Sequence, residues 1–229
     1  MNPTRKTALI TGVLFIVTIV FSIPGAVLYG PLLNDPRYIV GPGADTQVAL
    51  GAFFEIIVAI ANIGTAVTLF PILKRQNEGV ALGYVASRVV ESTIIAVGII
   101  SVLSVVTLRQ DFAAGGSDSG SFLAAGTALV AVHGWTFLLG PGLLAGFGNG
   151  LLLGYLMYRS GLVPRPLAFL GLIGGPVVSA SGIAVLFGLY AQVSVWSGIA
   201  TVPEFLWEAT LGIYLIVKGF RPSPITREM

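Results

Sequence analysis

The sequence predicts an all-α fold. It is a polytopic transmembrane helix bundle of six spans plus an outer-face helix at about 121–136, in a single domain over residues 1–229. Three observations predict it. Of the 229 residues, 55% are hydrophobic and 10% charged, where soluble domains carry about 25% charged residues. So little charge cannot cover a surface that faces water. Long apolar runs recur, and a helix needs about 20 such residues to cross a hydrocarbon layer of about 30 Å. The 30 glycines suit lipid too, because small residues let membrane helices approach closely.

The elements follow in order. Arg5 and Lys6 precede an apolar run from Thr7 to about Gly30. It is longer than a signal-peptide core of roughly 7–15 residues and no small-x-small site follows it, so it reads as a retained first span. Pro24-Gly25 mark a kink near its end. Residues 31–46 are a loop rich in Pro, Gly and Asp. The second span runs from about Gln47 to Pro71 and carries Glu55 and Asn62. KRQNEG (74–79) is a basic turn. The third span, about Ala81 to Leu108, carries Arg88 and Glu91, and 109–121 is a polar loop.

Phe122 to Tyr158 would be about 55 Å long as a helix, too long for one span and tight for two. The positive-inside rule decides. With Arg5/Lys6 and Lys74/Arg75 in the cytoplasm, one span here also places Arg159, Arg165, Lys218, Arg221 and Arg227 inside. Two spans would place them outside. The fourth span is therefore about Leu138 to Tyr158, bent in at Gly140-Pro141-Gly142, and 121–136 lies on or dips into the outer face. The fifth span is about Pro166 to Leu189. The sixth is about Val202 to Phe220, opened by Pro203, whose missing N–H costs nothing in a first turn. Both termini are expected in the cytoplasm of a cell whose plasma membrane the chain crosses. No repeat is visible.

The absence of cysteine excludes disulfides and thiolate chemistry. The net charge of +2 sits in short loops as a topology signal, so the expected partners are membrane lipids and a small-molecule ligand, not nucleic acid. Zinc catalysis usually takes two or three histidines, and His133 is the single one. No metal and no cofactor are expected. No G-x-S-x-G is present, GFGNG has no strand before it, and no lysine lies mid-span for a Schiff base.

Ionisable groups inside a span are costly, and each is a functional candidate. Helical rise sorts them by depth. Glu55, His133 and Glu208 form an outer layer, with Glu204 one turn nearer the surface. Asn62, Arg88, Glu91 and Asn149 form an inner layer. Glu55/Asn62, Tyr84/Arg88/Glu91 and Glu204/Glu208 each fall on one helix face. Arg88 and Glu91 also fit a purely structural pair. His133 with Trp135 also fits an interfacial anchor, as does Trp207. Glu55 and Glu208 have no evident cation nearby, which points to a protonated carboxyl, a bound cation or a solvated vestibule.

Four stretches carry a resemblance: KTALITGVLFIVTIVFSIPG, ANIGTAVTLFPILKRQNEGVALGYVASRVVES, HGWTFLLGPG and LLLGYLMYRSGLVPRPLAFLGLIG. They cover most of the chain, which resembles a bacterial family of integral membrane proteins named as domain of unknown function four-three-eight-six. Gly134 stands where an acidic residue would be expected after the histidine. The resemblance implies a polytopic membrane protein and brings no activity. The expected function is binding or transport of a small cationic, amine or lipid-like ligand, or protons, in a polar cavity between the second, third, fourth and sixth spans. The site residues are Glu55, Asn62, Arg88, Glu91, His133, Asn149 and Glu208, with the His133 segment as a lid. The alternatives are an intramembrane lipid-modifying enzyme and a structural subunit.

Overall fold

A computed structural model describes residues 2–226; Arg227 of the basic tail lies outside the described residues. The chain is all-α, and six of its helices are long and apolar enough to cross a membrane among the described residues. We number the helices α1 (Pro3–Leu28), α2 (Gly30–Leu33), α3 (Asp45–Leu73), α4 (Glu78–Ala113), α5 (Ser119–Ser160), α6 (Arg165–Leu186) and α7 (Val195–Val217). The short α2 belongs to the first loop, and the other six are the spans.

Local chemistry sets the boundaries. Asn2 caps α1, accepting the Thr4 N–H at 3.1 Å. Asn77 caps α4 through the Val80 N–H, and Asp118 caps α5 through the Gly120 and Ser121 N–H groups. Such side chains satisfy amides that have no partner inside the helix. Outside the spans, the Ser121 hydroxyl and these amides hold the Asp118 carboxyl below its ordinary range. Gly161 ends α5 at φ 67°, a left-handed position that suits glycine.

Two expectations are corrected. Residues 121–136 are helical, but they do not lie across an outer face. They run unbroken into the fourth span and pack along α4. Phe122 stacks edge-on against Phe112 at 5.5 Å, Ser101 donates to the Leu129 carbonyl, and Gly98 meets Thr136. Gly140-Pro141-Gly142 does not break the helix. The chain widens into π-helical turns over Leu138–Leu144 and Gly146–Leu153. Proline lacks an N–H and crowds the carbonyl one turn back, and a wider turn relieves both. The second correction is Pro203. α7 starts at Val195, capped by Ser194, so Pro203 lies inside the helix against Gly174.

The six spans form a closed ring in chain order, α1–α3–α4–α5–α6–α7 and back to α1. Closure rests on two features at the end that carries both termini. Gly12 faces Gly212, where a Cβ on Gly12 would stand 2.7 Å from the Gly212 oxygen. Arg5 donates to the Leu215 and Ile216 carbonyls at 2.8 and 2.6 Å, covering the C-terminal carbonyls of α7 with a cation where the helix dipole favours one. The tail then folds back: the Ser223 hydroxyl donates to the Ser160 carbonyl at 2.6 Å and the Arg221 N–H to Leu162 at 2.8 Å.

The opposite end is clasped by Arg109, which binds Asp45 through Nε at 2.6 Å and Nη2 at 2.5 Å. The Tyr38 hydroxyl donates to Asp45 at 2.8 Å. Burial and that bond push Tyr38 up to about 12. Each end holds an apolar plug. Phe15, Leu69, Leu153, Trp207 and Leu211 pack at the terminal end, and Tyr29, Leu32, Ile39, Ile99 and Val102 at the other. Around the ring, Val20, Ile60, Val67, Ile100 and Ile213 are exposed, as lipid-facing side chains must be.

Gly12→Val drives a branched side chain into the α7 backbone, an overpacking that costs about 1–3 kcal/mol. We expect a lower melting temperature in detergent. Gly198→Ala, on the same bundle with no atom within 4 Å of the added Cβ, is the control expected to melt like the parent chain or slightly higher. Equal melting of both variants would remove Gly12 as the closure point.

Candidate functional site

Between the two plugs the ring encloses a cavity of about 420 Å³. All six spans line it, so α1 and α6 join the four helices expected from the sequence. Its wall is mostly apolar, with Ile23, Val58, Ile95, Pro141 and Val178. Its polar lining is Thr18, Ser22, Glu55, Asn62, Arg88, Glu91, Thr201, Glu204 and Glu208.

The site is built by close packing of glycines. On α6, Gly175 sits against the Gly146 oxygen and the Gly150 Cα of α5, and Gly174 faces the Glu204 amide of α7, where a Cβ would stand 2.6 Å away. Gly171 lies against the Trp207 ring. With no side chains between them, α5, α6 and α7 approach to backbone contact. A first polar group meets there. Asn149 of α5 donates to Glu208 Oε1 at 2.6 Å, and Trp207 Nε1 donates to the Asn149 carbonyl at 3.0 Å. The Tyr84 hydroxyl lies 3.5 Å from Asn149 Oδ1 and 3.3 Å from the Thr65 hydroxyl.

A second group is ionic. Arg88 pairs with Glu91 Oε2 at 2.7 Å and with Asn62 Oδ1, and Asn62 Nδ2 donates to Glu91 Oε1 at 3.2 Å. All three are buried. The amide of Asn62 therefore bridges a cation and an anion, matching its acceptor to one and its donor to the other.

A third group is Glu55, which accepts from the Tyr29 hydroxyl at 3.0 Å. The Tyr29 ring stands edge-on to His133 at 5.3 Å. His133 is buried and lies behind Glu55, in a small void of about 10 Å³ beside Gly98 and Thr136.

Of the seven residues singled out in the sequence, Glu55, Asn62, Arg88, Glu91 and Glu208 line the cavity. Asn149 holds Glu208 from α5. His133 supports Glu55 through Tyr29 and does not cover the cavity as a lid. The two layers are also rearranged, because Glu208 joins Asn149 and only Glu55 stays with His133. Trp207 is not interfacial but fully buried.

Glu204 is the residue that the seven left out. It is 5% exposed, it lines the cavity, and neither carboxylate oxygen meets a donor among the described residues. Its spacing of four from Glu208 was the available signal. Three carboxyls therefore face one cavity without a cation of their own, since Arg88 is engaged by Glu91. Among the described residues no group of three or more His, Asp and Glu side chains has metal-binding geometry.

Breaking a buried ion pair costs about 3–5 kcal/mol, while replacing both partners by apolar residues of similar size is often neutral. We expect Arg88→Met to melt well below the parent chain and the double variant Arg88→Met/Glu91→Leu to recover most of the loss. A double variant no better than the single one would show that Arg88 is not held mainly by Glu91.

No curated protein and no solved structure matches the chain. The family profile described as "Domain of unknown function (DUF4386)" matches residues 10–219, a range that holds all six spans in whole or in large part and every residue of the cavity. The chain belongs to the DUF4386 family of domains of unknown function.

Proposed function

We propose that this multi-pass membrane protein binds a protonated amine in the cavity of the ring. The observation that supports this reading most strongly is the Glu204 carboxyl, buried and unpartnered beside Glu208 and across from Glu55. A carboxylate removed from water without a donor or a counter-charge is strongly disfavoured. The site is neutral only when a proton or a cation sits there. An alkylammonium group supplies the charge and three N–H donors, enough for Glu204 and Glu208 together. The uptake of amine then displaces a proton, so binding and proton release are coupled. The apolar wall fits an organic cation better than an inorganic one, because no group of three or more His, Asp and Glu side chains among the described residues is arranged to hold a metal ion.

Butylamine is a suitable probe. We expect it to raise the melting temperature of the purified protein, and Glu204→Gln or Glu208→Gln to weaken binding by about tenfold or more, since a charge-assisted hydrogen bond contributes about 1.5–3 kcal/mol. Both variants binding and melting like the parent chain would overturn the reading.

The membrane orientation belongs to the same proposal. The basic segments at Arg5/Lys6, Lys74/Arg75 and Arg159/Arg165 lie at one end of the ring, which we place in the cytoplasm. The chain has no native cysteine, so single cysteines report cleanly. Ser117→Cys should react with an impermeant maleimide on intact cells, and Arg165→Cys only after permeabilisation. The reverse pattern would invert the topology.

A further inference from the structure

The ring is not equally tight all round. α1 and α7 touch through Gly12 and Gly212 at the terminal end. Toward the other end they part. Ile23, Val27 and Phe205 line the cavity and yet are 56%, 68% and 42% exposed. The cavity therefore opens sideways between α1 and α7.

The opening leads somewhere. A groove of about 490 Å³ runs on from it along the first turns of α7. Cavity and groove share Ile23, Thr201 and Phe205, and the groove adds Val193, Ser197 and Val202. From Glu204 to Ser194, at its far end, is about 15 Å at 1.5 Å per residue. The path thus has a carboxylate pair at its inner end and an apolar trough outside. The segment beside it is also apolar and exposed, with Phe187, Leu189, Val193, Val195 and Trp196. A trough of this kind at the lipid-facing surface of a membrane protein admits molecules already dissolved in the bilayer.

We propose that the ligand is a single-chain amphiphilic amine that enters from the bilayer between α1 and α7. Its ammonium group meets Glu204 and Glu208, and its alkyl chain lies against Ile23, Thr201, Val202 and Phe205. The occupant follows from charge complementarity. A fatty carboxylate brings a like charge to an acidic floor. A neutral alkyl alcohol leaves the carboxyls without a counter-charge. A short amine satisfies the floor and leaves the trough uncovered. The inference rests on the amine-binding reading above and extends it by a chain and a route.

The experiment compares dodecylamine, butylamine, dodecanol and dodecanoate as ligands of the full chain in detergent, with the parent sequence, Glu204→Gln and Thr201→Trp. Thr201→Trp fills the trough and leaves the carboxyls in place. We expect dodecylamine to bind at least about tenfold more tightly than butylamine, because the chain is buried only for the longer ligand. Thr201→Trp should abolish that difference, and Glu204→Gln should weaken both amines. Equal binding of the two amines, or a dodecylamine advantage that survives both Thr201→Trp and Ile23→Trp, would overturn the chain and route while leaving the amine site intact. Dodecanol or dodecanoate binding as tightly as dodecylamine would overturn the amine headgroup. Binding of neither amine would remove both readings.

Discussion

The structure depends on backbone-to-backbone contact between α5, α6 and α7. Lipid offers no hydrophobic force between helices, so association relies on close van der Waals fit and on polar links. Gly146 and Gly150 against Gly175, and Gly174 against the Glu204 amide, provide the fit. Everything polar on that side of the cavity follows from it. Asn149 reaches Glu208, Trp207 reaches the Asn149 carbonyl, and the Glu204 carboxyl is enclosed beside Gly150. The π-helical turns of α5 belong to the same arrangement. They let Pro141 sit inside a long helix and present a run of glycines to α6 without a break. Such turns are rare and are frequent at functional sites.

Electrostatics divides the interior into a settled part and an unsettled part. Arg88, Glu91 and Asn62 bond to one another and the two charges cancel, with Arg88 Nε alone left without a partner among the described residues. Glu55 has a hydroxyl donor and Glu208 an amide donor. Glu204 has neither. The cavity thus has one acidic pole whose carboxyl meets no donor among the described residues.

Much of the fold was legible in the sequence, and most span boundaries with it. The six apolar runs identify the spans because chain composition must match lipid whatever the packing. The caps Asn77 and Asp118 sit where a polar residue precedes an apolar run. The His133 segment was misjudged for an identifiable reason: Gly140-Pro141-Gly142 signals a break in water, whereas in a membrane the backbone has no outside partner and the helix continues. Pro203 was misplaced for the same reason. The site was half legible. Glu55, Asn62, Arg88, Glu91 and Glu208 face inward, as stripes of polar residues in lipid must. Depth alone grouped Glu208 with His133, since helical rise says nothing about which neighbouring helix a side chain meets.

The sequence by itself determined that this is a six-span bundle, that its polar stripes turn inward, and that both chain ends lie at one end of the ring, because these follow from lipid as solvent and from the parity of the spans. Only the tertiary structure decided which polar groups pair. It engaged Arg88 with Glu91, tied Asn149 to Glu208, set His133 behind Tyr29 and left Glu204 alone. It also decided that the ring closes tightly at Gly12 and Gly212 and parts at Ile23 and Phe205. Pairing and parting depend on distances of a few ångströms between segments far apart in the chain, and no periodicity along one helix encodes them.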